Sequence, residues 1–202
     1  MATIAVLDYG SGNLHSVSRA LRHAGAEVTV TSARDDVRRA DATLIPGVGH
    51  FGHCVRAIRA AGLERPIREL ASKGRPVFGV CVGLQVLFEA SEEDPATPGL
   101  GIVEGTVRRL PSSVTVPHMG WNTVEWTRSH PFAEGLDDRS WFYFVHSFAP
   151  TADGALGATE HGTRFGSVIG RDNVFATQFH PEKSGEAGLA LYRNFVRAVN
   201  AA

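Results

Sequence analysis

Cys81 stands in Gly79-Val80-Cys81-Val82-Gly83, directly behind the apolar run Pro76 to Gly79. Glycines two places either side of a residue permit a sharp strand-to-helix turn, which pushes that residue into a strained and exposed position. A cysteine there is presented as a nucleophile at the carboxyl edge of a sheet. A helix starting at the next residue adds free amides and a dipole, and both favour a thiolate and an oxyanion. Such a thiol needs a base. The candidate is His180, which ends the strand-like run Asn173-Val174-Phe175-Ala176-Thr177-Gln178-Phe179-His180 and is followed by Pro181-Glu182. On an extended segment, residues two apart share a side, and Pro181 keeps this stretch extended, so Glu182 is expected to orient the imidazole. Taken singly, Cys81 also reads as a small buried thiol and His180 as an ordinary strand-end residue. Together with Glu182 they make a Cys-His-Glu set in that chain order.

These side chains must be brought together by the elements around them. Thr3 to Leu7 is a short apolar run feeding the turn Asp8 to Asn13, and Leu14, Val17, Leu21 and Ala24 follow at helical spacing up to Gly25. Glu27 to Thr31, Ala42 to Pro46 and Pro76 to Gly79 read as further strands, with helices over Phe51 to Ala61 and Pro66 to Lys73. This alternation predicts a parallel sheet covered by helices on both faces. After Glu89 the texture changes. Ser91 to Gly99 is a polar loop, and Gly105 to Leu110, Asn122 to Trp126, Trp141 to Val145 and Gly166 to Gly170 are shorter strand-like runs of a mixed or antiparallel section. Leu189, Tyr192, Phe195, Val196 and Val199 line one face of a closing helix. No repeat or linker interrupts the chain, so residues 1–202 are read as one domain.

The bulk properties narrow the possibilities. The chain has 202 residues, 43% hydrophobic and 20% charged, enough to bury a full core. A formal net charge of −1 provides no basic field for nucleic acid or membrane binding. The start, Met1 to Asp8, lacks the basic flank of a signal peptide, and no stretch approaches a membrane span, so a cytoplasmic protein is expected. The two cysteines, Cys54 and Cys81, are then free thiols.

Weaker signals surround the triad. Pro46-Gly47-Val48-Gly49 closes the third strand on the same rim as Cys81, either as an amide donor to an oxyanion or as a plain turn. Gly10-Ser11-Gly12-Asn13 lacks the third glycine of a dinucleotide fingerprint, because position 15 is His15, and reads as a turn or docking loop. His50, His53 and Cys54 lie close together without a fourth ligand in view, so no metal is assigned and Cys54 is expected to pack as a small apolar residue. Trp121 beside Met119 reads as core, or, if exposed, as a protein contact. Arg108 and Arg109 read as a solvated strand edge.

Gly79-Val80-Cys81-Val82-Gly83-Leu84-Gln85 and Phe179-His180-Pro181-Glu182 resemble the class I glutamine amidotransferases. Asp8-Tyr9-Gly10-Ser11-Gly12-Asn13-Leu14, Pro46 to Gly49, Pro117-His118-Met119-Gly120-Trp121-Asn122 and His180 to Ser184 narrow the resemblance to the glutaminase subunits of imidazole glycerol phosphate synthases. The resemblance implies a three-layer, flavodoxin-like α/β fold with a largely parallel sheet and an added antiparallel or mixed section. It also implies that Cys81 attacks the glutamine carboxamide, that His180 relays protons and that Glu182 orients it. It places the oxyanion near the Val82 amide and a mobile Gly47-Val48 peptide, with Gly49 beside them. Gln85, His146, Ser147 and Phe148 would seat the substrate. Asn13, Trp121, Tyr143 and Lys183 would meet a separate (β/α)8 cyclase subunit, which receives ammonia for histidine biosynthesis. No cofactor is implied, and turnover would depend on the partner. Val80, Val82 and Ser147 depart mildly from the familiar pattern, and His50 and His53 have no assigned role. The alternatives are a glutaminase serving another synthase, such as that of pyridoxal phosphate, and a cysteine hydrolase of peptides or esters.

Overall fold

Short apolar runs bounded by glycines build the first half of the molecule. The computed structural model describes residues 1–201; Ala202, the last residue of the expected domain, lies outside them. Strands β1 (Thr3–Leu7), β2 (Glu27–Thr31), β3 (Ala42–Ile45) and β4 (Val77–Val80) alternate with helices α1 (Leu14–His23), α2 (Arg34–Arg39), α3 (Phe51–Ala60) and α4 (Glu64–Ser72). After α5 (Val82–Gln85) come β5 (Phe88–Ser91), β6 (Val103–Arg109), β7 (His118–Trp126), β8 (Arg139–His146), β9 (Phe148–Pro150), β10 (Gly157–Glu160), β11 (Arg164–Arg171) and β12 (Val174–Thr177). A 17-residue helix, α6 (Gly185–Ala201), follows.

Nine strands form one sheet in the order β2-β1-β3-β4-β12-β11-β10-β7-β8. From β2 to β12 neighbouring strands run parallel, and from β12 to β8 antiparallel. The last strand to form in sequence, β12, thus sits at the centre beside β4. Helix α1 packs with α6 and α2 with α4. Every residue of β3, β4 and β12 is buried, as expected of strands covered on both faces. Phe78 of β4 anchors the core, with Phe132 and Phe195 rings at 5.4 and 5.0 Å. A separate three-stranded sheet, β5-β6-β9, carries the polar loop after β5.

Several elements differ from the sequence expectation. Helix α2 is almost wholly charged and buries only Val37, so it has no apolar stripe to read. Strands β5, β9 and β10 are three or four residues long and gain their form from pairing. β7 begins at His118, ahead of the expected start at Asn122, so most of the Pro-His-Met-Gly-Trp-Asn stretch is strand. β6 is the middle strand of its sheet, which makes Arg108 and Arg109 solvent-facing side chains of a paired strand, not an edge.

Candidate active site

The elbow is built from close backbone approach. Cys81 has φ 57° and ψ −114°, a conformation costly for any residue with a side chain. A Cβ on Gly83 would lie 1.9 Å from the Ile45 carbonyl oxygen, and one on Gly79 2.5 Å from the Gly83 carbonyl. Glycine at both positions lets the turn after β4 fold down against β3. The helix beyond the elbow is a single turn, Val82–Gln85, so its dipole is much smaller than the sequence suggested.

Parallel pairing then delivers the base. Val80 and Thr177 are register partners, and the Cys81 amide donates to the Thr177 carbonyl at 2.8 Å. The chain leaving β12 therefore emerges beside the thiol. β12 stops at Thr177, and Pro181–Lys183 form a 3-10 turn, which corrects the extended reading of His180 to Glu182. Proline fits that turn because its fixed φ suits a first helical position. The turn still brings Glu182 Oε1 to 2.9 Å from His180 Nδ1, with both side chains buried. The backbone of His180 is clamped to β8: its amide donates to the Tyr143 carbonyl at 2.9 Å, and Ser184 Oγ donates to its carbonyl at 2.6 Å.

Cys81 and His180 open on one cavity of about 320 Å³, also lined by Val48, Gly49, Val82, Gln85 and Glu93, and closed by Pro117 and Val145 to Phe148. Larger hollows of about 710 and 670 Å³ contain neither thiol nor buried base. With Nδ1 committed to Glu182, His180 Nε2 is buried and has no hydrogen-bond partner among the described residues. Burial alone would lower the pKa of this imidazole. The adjacent Cys81 and the hydrogen-bonded Glu182 outweigh burial and raise it to about 10. The arrangement thus favours an imidazolium at His180. Burial instead pushes the Cys54 thiol up, and its Sγ lies 3.5 Å from the Val48 carbonyl oxygen.

The rim loop makes its hydrogen bonds toward the first βα loop. The Val48 amide donates to Ser11 Oγ at 3.2 Å, and that hydroxyl donates back to the Val48 carbonyl at 2.8 Å. Tyr9 donates to the Pro46 carbonyl. The Val48 N–H is therefore turned to the first βα loop. Gly47 lies against the elbow, where a Cβ would meet the Gly83 amide nitrogen at 2.5 Å. Gln85, expected to seat substrate, spends its Nε2 on the Phe148 carbonyl and on Gln178. Glu93 was not singled out in the sequence, where it sits in a polar loop. In the fold it lines the cavity, and its Oε2 accepts the Phe51 amide at 2.7 Å. The adjacent Ser91-Glu92-Glu93-Asp94 run was the only available signal, and it resembles any solvated loop.

A second group of expected residues gathers on the outer face of β7 and β8. Met119, Trp121 and Trp141 are 63%, 54% and 58% exposed. Trp121 is therefore not core, and it pairs across the strands with Tyr143. The Lys183 ammonium lies 5.8 Å from the Tyr143 ring centroid. Asn13 occupies the N-cap position of α1 without a side-chain capping hydrogen bond. His50 and His53 are exposed on and before α3.

Comparison with known proteins defines the class first. Residues 5–199 match the family model for glutamine amidotransferase class-I, and the chain belongs to that class. A solved glutamine amidotransferase superposes with a TM-score of 0.77 over 98% of both chains at 22% identity, which shows the fold. The imidazole glycerol phosphate synthase subunit HisH of Dehalococcoides mccartyi, strain CBDB1, is 46% identical over 197 residues, covering 96% of each chain. The HisH subunit of Acinetobacter baylyi is 46% identical over 202 residues, covering 97% of this chain and 98% of that one. Within its class the chain is a member of the HisH family.

Proposed function

We propose that this chain is the glutaminase subunit of an imidazole glycerol phosphate synthase, acting in the cytoplasm as a heterodimer with a (β/α)8 cyclase subunit. The Cys81 thiolate attacks the carboxamide carbon of glutamine, and the carbonyl π electrons move to oxygen. The tetrahedral intermediate collapses as the His180 imidazolium protonates the departing nitrogen, leaving ammonia and a γ-glutamyl thioester. Neutral His180 then takes a proton from water, whose oxygen attacks the thioester carbonyl. Glutamate leaves, the thiolate is restored, and Glu182 steadies each imidazolium. The Glu93 carboxylate provides the charge that a substrate ammonium needs. The observation carrying this reading is the strained Cys81 and the buried His180–Glu182 pair on one cavity, in a chain of this family.

The resting orientation of the Val48 peptide supports partner-dependent turnover, because its N–H must leave Ser11 before it can meet an oxyanion. The apolar stripe of Met119, Trp121 and Trp141, with Tyr143 and Lys183, supports docking of the cyclase subunit, to which ammonia passes. The test is glutaminase turnover with and without a cyclase subunit and its nucleotide. Stimulation is expected. Cys81→Ala should lower glutamine-dependent synthesis by about 10⁴-fold or more while ammonia-dependent synthesis by the complex survives. Loss of both activities in a folded variant would assign the thiol a structural role.

A further inference from the structure

Immediately beyond β12 lies Gln178, a fully buried amide that belongs to no part of the triad. A buried carboxamide must satisfy a donor end and an acceptor end, and the neighbours decide which way it faces. Here the decision starts at the Phe148 carbonyl, which can only accept. Gln85 Nε2 is 2.9 Å from that oxygen, so Gln85 must turn its NH₂ group toward it. The same Nε2 lies 3.1 Å from Gln178 Oε1. Reversing Gln178 would set two NH₂ groups against each other. Its oxygen therefore faces Gln85, and its NH₂ faces the opposite way, where Cys81 Sγ lies 3.9 Å from Nε2. The Phe148 oxygen is also held by the His146 ring, whose Nδ1 is 3.0 Å away.

We propose that Gln178 acts directly on the nucleophile, donating an amide hydrogen to the Cys81 thiolate, and that Gln85 is the positioning residue that aims it. The protonated thiol has a different neighbour, the Val145 carbonyl oxygen at 4.0 Å. An amide donor stabilises the anion more than the neutral thiol, whereas a carbonyl does the reverse. Gln178 therefore shifts the balance toward the reactive form. The inference rests on the reading of Cys81 as the nucleophile.

The test uses alkylation of the full-length chain by iodoacetamide, followed by peptide mass mapping to separate Cys81 from Cys54. Gln178→Met keeps the volume and removes the donor. The other groups facing the thiol stay in place: His180 backed by Glu182, His146 and Glu93 on the cavity, and Cys54 and Tyr9 within electrostatic reach. The expected result is an upward shift of about one unit in the pH midpoint of Cys81 alkylation, with a rate about tenfold lower at pH values below that midpoint. Gln85→Met should move the midpoint the same way by less, and it decides the matter if Gln178→Met does not fold. Superimposable profiles for folded variants and wild type would make Gln178 a packing residue only. Alkylation needs neither glutamine nor a partner, so a shifted midpoint in a chain that shows no glutaminase turnover even with a cyclase subunit and its nucleotide would overturn the functional reading and leave this inference standing.

Discussion

Strands β3, β4 and β12 are buried at every position, whereas β7 and β8 alternate between buried and solvent-facing side chains. The two halves of the sheet meet at β12, and the candidate chemistry and the candidate docking face divide along that line. The doubly covered half offers strand ends that cannot shift, which suits an elbow held by backbone contacts at van der Waals limits. The half-covered side offers one face to solvent and can carry exposed tryptophans. The difference teaches that rigidity and recognition were drawn from different sheet chemistry. Tyr143 joins them: its side chain belongs to the exposed face, and its carbonyl accepts the amide of His180.

The doubly covered half is most sensitive at the elbow. Gly83→Ala puts a methyl 1.9 Å from the Ile45 oxygen, a contact with backbone that no rotamer relieves. Loss of about 3 kcal/mol or more is expected, read as a fall in the urea midpoint; wild-type stability would show that the rim is pliable. Trp121→Ala should leave the fold intact and weaken partner binding about 30-fold, the equivalent of roughly 2 kcal/mol at an interface anchor. A titration with unchanged affinity would remove β7 from the docking face.

Proton linkage sharpens the comparison, because the two halves respond to opposite ends of the pH scale. Burial, followed by the charge of His161, holds His118 down at about 4, and burial likewise holds His146 at about 3. Unfolded, both would titrate near the ordinary imidazole value of 6.5. The unfolded chain then binds more protons below that value, so their contribution is complete above it and is lost as the pH falls. About 2 kcal/mol should disappear by about pH 5.5, and His118→Leu should flatten that acid limb. His180 has the opposite sign. Its folded pKa is raised to about 10, so its contribution is present below 6.5 and lost as the pH rises through about 10. In Glu182→Gln the alkaline loss should begin at lower pH. The smallest effect is expected at the exposed Glu125–Arg164 pair, 3.0 Å apart across the antiparallel side. Glu125→Ala should leave the urea midpoint almost unchanged, and any difference should vanish at high salt.

Much of this molecule was legible before any fold was known, and the reasons are local. The glycines around Cys81 announce a turn because only they tolerate its contacts. The runs of β1, β3, β4 and β12 are apolar because both their faces are covered. The alternation of these runs with helices is enough to place their ends on one rim. Where structure came from pairing alone, the signal failed: α2 had no stripe, and β5, β9 and β10 were too short to carry a period. The extended reading of Pro181 failed for a similar reason, since proline suits the first position of a 3-10 turn as readily as a strand.

The residue types at 81, 180 and 182, and the turns that carry them, were determined by the sequence itself. Only the tertiary structure decided that Glu93 faces the cavity, that the Val48 amide is turned to Ser11, and that Gln178 aims its nitrogen at the thiol. Each of these depends on an orientation set by groups far away along the chain, and hydrogen-bond direction is a property of assembled neighbours that no local spacing records.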